Sequence, residues 1–337
     1  MADVARRAGV SMITVSRMLR EPERVAASTR ERIEKAIEDI GYVPNLVAGG
    51  LASTQTRIVA AVLPYFQQGG FELVHGLSDS LSRNGLCLLL GNSDGTSAEE
   101  DEIARILLGY RPAGLVIQGA SHTGNAANLL RRANIPIVET DSLPEHPIDM
   151  CVGYSNKDAA KAAVEHLIGR GRKRIGLLIA NPKDEPRRVL DLGGYLDRHA
   201  MRAEGYREAL DEAGIAFDSG LVAQTNFTIA DGRRAFIQLI TETPDLDAVF
   251  CAHDIWAMGA VFECQRRGIG VPDDMAVCGF GDLEFAAEII PSITTIHLPR
   301  YQVGATAANL INARLNGEEI ERPIVDVGFE LVERMST

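Results

Sequence analysis

The sequence predicts an α/β protein: an all-α N-terminal segment followed by a core of two doubly wound parallel-sheet subdomains. Three observations predict it. Residues 1–45 break into short amphipathic helical stretches punctuated by Gly9 and Pro22. After Arg57, near-continuous apolar runs alternate with stretches of 3.6-residue periodicity, the pattern of parallel strands covered on both faces. That alternation comes in two blocks, one ending near Tyr154 and one beginning near Lys173. A chain of 337 residues, 46% apolar and 24% charged, has core enough for two or three domains.

The first stretch, Asp3 to Ala8, places Val4, Ala5 and Ala8 on one side. Gly9 turns the chain, since glycine takes positive φ without a Cβ clash. Ser11 is a good N-cap for a second helix, Met12 to Leu19, with Val15 and Leu19 facing inward. A third helix opens on Ser28-Thr29-Arg30-Glu31, a capping-box pattern, with an apolar stripe of Ile33, Ile37 and Ile40 and Gly41 just past its end. Two helices joined by a tight glycine turn form a helix-turn-helix unit. Here Ala5 is small enough for close approach, Gly9 makes the turn and Val15 fills the wedge; the same spacing also fits a plain helical hairpin. Charge leans toward a nucleic-acid partner only locally. Residues 1–57 hold nine Lys/Arg and seven Asp/Glu, whereas the rest hold 25 and 39 within a chain of net charge −12.

Candidate strands in the core are Ile58–Leu63, Leu86–Leu90, Gly114–Ile117, Ile135–Glu139, Arg174–Ile179, Ala248–Cys251 and Met275–Gly279. Helical periodicity marks Asp158–Ile168 and Met201–Ala213 among the segments between them. Two doubly wound subdomains put a ligand crevice between them, outside the carboxyl ends of strands. The five cysteines lie in or beside apolar stretches without a CxxC pair, so buried free thiols in a reducing cytoplasm are expected. No apolar run is long enough for a membrane span, and MADVARRAGV lacks the apolar stretch of a signal peptide. The seven histidines show no metal-ligand spacing, and GxSxG and P-loop motifs are absent. No enzyme, metal or cofactor is therefore expected.

The runs DVARRAGVSMITVSRML (3–19), STRERIEKAIEDIGYVPN (28–45) and LVAGGLAS (46–53) resemble the headpiece and hinge of the LacI/GalR family of transcriptional regulators. The resemblance extends over essentially the whole chain. It implies a sequence-specific DNA-binding regulator, most often a repressor, with a periplasmic-binding-protein-like core that holds a small effector. By position, Met12, Ile13 and Arg17 would reach base edges in the major groove, while Ser11, Thr14 and Ser16 suit phosphate. The competing reading of Met12 and Ile13 is inward packing. Asn45 and Leu51 join the DNA-contacting set, the leucine as a minor-groove wedge. Two departures stand out. The family has a few residues ahead of the Asp-Val-Ala segment, so the first helix here is expected to be incomplete. Gly49 and Gly50 precede Leu51, so helix formation in this hinge is expected to be costly.

The implied domains are a headpiece (1–45), a hinge (46–56), a first subdomain (57–154 and 292–315) and a second (155–291 and 316–337), with the last strand, about 324–331, in the second. The family carries an Arg-x-x-Gly-aromatic motif whose arginine enters the crevice; Arg202, Gly205 and Tyr206 match it. Asp254 at a strand end matches an aspartate that accepts ligand hydroxyls, with His253 beside it, although an aspartate there also suits the helix dipole. Asp282 follows Gly281, where many members have an aspartate, and is either a ligand or a structural group. Phe71, Asn92, Glu139 and Asp141 are candidates from the first subdomain. The run AVFECQRRGIGVPDDMAVCGFGDLEFA (260–286), with IPIVE (135–139), resembles the gluconate-utilisation branch. A sugar acid such as gluconate is the expected effector, with Arg187 or Arg188 as a second cation. A cytoplasmic homodimer on a near-palindromic operator is expected, without a membrane partner. A sugar-binding protein of the same core fold, without a DNA role, is the alternative.

Overall fold

The protein is described by a computed structural model covering residues 1–43, 56–64, 70–93, 97–180 and 197–337. The hinge residues Asn45, Gly49, Gly50 and Leu51, and the cations Arg187 and Arg188, lie outside the described residues. The chain divides into two compact units, residues 1–56 and 57–337.

Three helices make the first unit: α1 (Ala2–Ala8), α2 (Met12–Arg20) and α3 (Ala27–Ile40). Gly9 closes α1 at φ 63, in the left-handed region, as the turn requires. Ser11 caps α2 by accepting a hydrogen bond from the Thr14 amide at 3.2 Å. Val4, Ala5, Ala8, Val15, Met18, Val25, Ile33 and Ala36 form the core. Arg7 reaches across to Asp39 at 2.8 Å, tying α1 to the end of α3. The capping box at Ser28 does not form. The Thr29 and Arg30 amides bond to the Ala26 carbonyl, so the helix starts earlier and Ala26 occupies its N-cap without a side-chain bond. Met18 is buried while Leu19 is only half-buried, and Ile40, the last residue of α3, is exposed.

The second unit begins with a six-stranded parallel sheet in the order β11-β5-β4-β3-β1-β2. Its strands are β1 (Ile58–Pro64), β2 (Cys87–Ser93), β3 (Gly114–Gln118), β4 (Ile137–Thr140), β5 (Met150–Gly153) and β11 (Ile324–Asp326). Alternation along β1 sorts its side chains. Val59, Ala61 and Leu63 belong to the core with α4 (Gly70–Arg83) and α12 (Arg300–Leu315). Ala60 and Val62 face α5 (Ser97–Gly109) and α6 (Gly124–Arg132). A second parallel sheet has the order β7-β6-β8-β9, from β6 (Ile175–Ala180), β7 (Val222–Thr225), β8 (Ala248–Cys251) and β9 (Ala276–Cys278). Around it pack α7 (Asn156–Gly169) with α8 (Asp197–Glu212), and α9 (Ile229–Glu242) with α10 (Asp254–Arg267). In both sheets the chain reverses direction of winding beside a central strand, β1 or β6. That is the switch-point geometry that opens a crevice at the strands' carboxyl ends.

The expected two-subdomain core is present, with corrected boundaries. The last segment splits. β11 pairs with β5 in the first sheet, while β12 (Glu330–Val332) pairs antiparallel with β10 (Thr295–His297). Residues 292–297 stay with the second subdomain, because Thr294 and His297 bridge to Cys278 and Gly281. The C-terminal residues also return to it, where the Ser336 hydroxyl donates to the Val277 carbonyl at 2.5 Å. Cys87 is exposed on the edge strand β2; the other four cysteines are buried free thiols.

Candidate functional site

On the first unit, the opening turn of α2 presents Met12 and Ile13, 55% and 72% exposed, rather than burying them. Val15 and Met18 supply the inward face, so the inward-packing reading of Met12 and Ile13 does not hold. Arg17 is exposed one turn on and makes no ion pair among the described residues, unlike Arg6, Arg7 and Arg24. The Ser11 and Thr14 hydroxyls bond to each other at 2.9 Å as part of the cap, leaving lone pairs and the free first-turn amides for an anion. Ser16 is half-buried beside them.

In the second unit, the Arg202 motif is explained residue by residue. Gly205 lies where α8 meets α7, and a Cβ there would run into the Lys157 carbonyl. Tyr206 is buried, and its hydroxyl donates to the Ile175 carbonyl at 2.7 Å, anchoring α8 to β6. Arg202 is 5% exposed and stacks over Phe280, with its guanidinium carbon 3.9 Å from the ring centroid. Its Nε donates to Asn156 Oδ1 at 2.9 Å and its Nη1 to the Ala252 carbonyl at 2.7 Å. Both acceptors are neutral, and Arg202 makes no ion pair among the described residues. Burial, more than the neighbouring arginines, lowers its pKa to about 9, so it stays cationic at neutral pH.

Asn156 connects this arginine to the first subdomain, since its Nδ2 donates to the Asp141 carbonyl at 2.8 Å. Asp141 follows β4 at φ 64, a left-handed conformation unusual outside glycine. Its carboxylate accepts from Gln118 at the end of β3 and meets Arg198 of α8 at 3.4 Å. The second carboxylate oxygen, Oδ1, is buried with no hydrogen-bond partner among the described residues. The Arg198–Asp141 pair thus spans the crevice from α8 to the first sheet.

The remaining predicted effector residues divide. His253 sits after β8 and caps α10, its Nδ1 accepting from the Ile255 amide at 3.4 Å. Phe71 is 65% exposed in the first turn of α4, and Asn92 is exposed on β2. Asp254 is fully buried. Oδ1 accepts from Thr295 Oγ1 at 2.6 Å and Oδ2 from the Leu283 amide at 2.7 Å, so it braces the strand crossovers. A side chain at Gly279 would strike this carboxylate, which accounts for the glycine. Burial raises the Asp254 pKa against the pull of those two bonds. Asp282 is held in the same region by Arg334 at 2.6 Å and His297 at 3.0 Å. Nearby, Arg300 donates to the Gly281 carbonyl at 2.6 Å. Glu139 is turned away from the crevice, to the α5–α6 side of β4. One oxygen meets His122 at 3.2 Å, and the other accepts from the Ile148 amide at 2.6 Å.

Sequence reasoning missed Gln118, Asn156, Arg198, His199, Phe227 and Trp256. Helical spacing was the available signal for Arg198 and His199, which sit four and three residues before Arg202 on one helix face. Among the described residues, no group of three or more His, Cys, Asp or Glu could hold a metal ion. No helix there is long and apolar enough to cross a membrane.

Residues 1–45 match the bacterial regulatory proteins of the lacI family, and residues 164–337 match a periplasmic binding protein-like domain. The chain is 37% identical over 339 residues to the HTH-type transcriptional regulator GntR of Pseudomonas aeruginosa, covering 99% of this chain and 94% of that one. To GntR of Escherichia coli strain K12 it is 32% identical over 331 residues, covering 98% and 96%. The crystal structure of transcription regulator GntR from Chromobacterium violaceum is similar at a TM-score of 0.76 and 34% identity, covering 83% of this chain and 98% of that one. Regulators of this family generally bind operator DNA and a small-molecule effector as homodimers. The chain belongs to the LacI family and is a sequence-specific DNA-binding transcriptional regulator.

Proposed function

We propose that this regulator is a homodimeric repressor that senses a sugar acid such as gluconate. One observation carries the reading: Arg202 is buried, cationic and hydrogen-bonded only to neutral acceptors. A buried guanidinium without a counter-ion favours a ligand that brings a carboxylate, which it can meet through its planar fork. Asp141, the nearest acid on the opposite wall, is already engaged by Arg198 and Gln118. Its unpartnered Oδ1 suits a ligand hydroxyl, with His253 and the exposed Phe71 as further lining. Anion binding between the two subdomains competes with the Arg198–Asp141 pair and so alters how the walls close. On the DNA side, Arg17 reads guanine and Met12 and Ile13 meet apolar base edges, while Ser11, Thr14 and Ser16 hold phosphate. Asn45 and Leu51 complete the contact on the family's pattern, on a near-palindromic site.

A thermal-shift series with gluconate, glucose and a hexose phosphate tests this. A ligand at a hundred times its Kd stabilises the native state by about 2.7 kcal/mol. Gluconate should raise the melting temperature and glucose should not. A shift with glucose and none with gluconate overturns the sugar-acid reading. Sedimentation as a monomer at micromolar concentration contradicts the dimer.

A further inference from the structure

Four rings gather on the second-subdomain side of the crevice. His199 lies 5.6 Å from Phe227 and 5.9 Å from Trp256, centroid to centroid. Phe227 in turn lies 5.1 Å from Trp256 and 5.8 Å from His253. Two of the heteroatoms in this wall have structural duties. Trp256 Nε1 donates to the Asn226 carbonyl at 2.9 Å, and His253 Nδ1 accepts in the α10 cap. His199 differs. It is 5% exposed, and its Nδ1 has no hydrogen-bond partner among the described residues. A buried polar atom left unpaired is costly, and native structures rarely keep one without a role.

The surroundings define what that nitrogen can bind. Burial first, and then the charges of Arg202 and Arg198, hold the imidazole far below its ordinary pKa. It is therefore neutral, with one donor and one acceptor nitrogen, and cannot serve as a second anion site. A hydroxyl can donate or accept, so it fits either tautomer. The same helix face carries Arg202 one turn further on, where a carboxylate would sit. A ligand reaching both groups carries a carboxylate at one end and a hydroxyl along its chain, with its C–H face against the half-buried Phe227.

We infer that His199 is a specificity-determining residue of the crevice: its Nδ1 reads one hydroxyl of a polyhydroxy carboxylate lying against Phe227, which the buried Trp256 backs. This rests on the sugar-acid reading above and adds the group that separates hydroxylated acids from plain ones.

The test is calorimetric titration of the full chain with D-gluconate and its monodeoxy analogues, using wild type, His199→Leu and His199→Asn. His199→Leu should weaken gluconate binding roughly 10-fold, the effect of leaving one hydroxyl unpaired. One monodeoxy analogue should bind wild type and His199→Leu alike, because the lost partner is the same in both. His199→Asn, which keeps a polar atom near the Nδ1 position, should recover to within roughly 3-fold of wild type. The inference is overturned if His199→Leu binds gluconate as wild type does. Equal losses with every analogue, or an asparagine variant as weak as the leucine one, also overturn it, since both mark packing alone. A wild-type protein that binds no gluconate removes the sugar-acid reading and this inference together. Gluconate binding with strictly additive losses removes only the inference.

Discussion

Raising the pH from 6 to 9 removes the proton of His122, a residue the crevice does not use, from about half of the molecules. Its Nδ1 lies 2.7 Å from Glu100 and its Nε2 3.2 Å from Glu139, and all three side chains are almost fully buried. The triad joins the first turn of α5, the loop before α6 and strand β4. Burial alone would lower the histidine's pKa, but the hydrogen bond to Glu100, the close contact with Glu139 and the charges of both carboxylates outweigh it and raise it to about 9. The folded value therefore lies above the unfolded one of 6.5. The stabilisation is complete below the unfolded value and is lost as pH rises through the folded one. The interval corresponds to about 3 kcal/mol, of which about 2–3 kcal/mol falls between pH 6 and pH 9. Urea unfolding followed by circular dichroism at the two pH values measures it. The control is the triple variant Glu100→Gln/His122→Gln/Glu139→Gln, which removes every charge of the triad. Wild type should lose about 2–3 kcal/mol more than the triple variant over this range. Equal losses in the two proteins refute the reasoning.

Arg17→Ala should weaken operator binding by about 1–3 kcal/mol for a lost guanine contact and relax specificity at one base position, read by fluorescence anisotropy on single-substituted operators. A uniform loss across all operators would reassign Arg17 to phosphate. Gly205→Ala pushes a methyl against the Lys157 carbonyl and should cost about 1–3 kcal/mol, lowering the core's Tm by several degrees in a calorimetric scan; an unchanged Tm would contradict the close α7–α8 contact. Replacing Gly49 and Gly50 with alanine should tighten operator binding, since each glycine disfavours a helical hinge by about 0.8–1 kcal/mol. Weaker or unchanged binding would rule out hinge folding as the limiting step.

The helix-turn-helix and the two sheets are legible because each rests on local periodicity, whereas Arg202 is singled out by the family motif it shares with Gly205 and Tyr206. The side-chain partners are not legible. The periodicity predicts a helix from Met201, whereas α8 begins at Asp197, which adds Arg198 and His199 to the helix that carries Arg202. Glu139 shows the sensitivity of strands: neighbouring residues face opposite ways, and it points to His122 while Asp141 two residues on, past the strand end and at positive φ, reaches Arg198. Asp254 sits at the expected strand end, but its two partners come from residues 283 and 295, which no local pattern connects to it. Membership of β11 in the first sheet is equally non-local, because three residues after a proline carry no mark of which sheet they will join.

That placement of β11 has a consequence for synthesis. The second sheet draws all its strands from residues 175–278, whereas the first opens at Ile58 and is completed only by α12 and Ile324–Asp326. The part of the first sheet that leaves the ribosome first thus waits for residues made roughly 240 positions later. Val59, Ala61 and Leu63 must wait for the α12 residues Val303, Ala307 and Ile311, a delay of roughly 10–50 s at about 5–20 residues per second. During that interval a nascent chain has only α4 to cover that apolar sheet face, and a helper that shields such faces would matter most there.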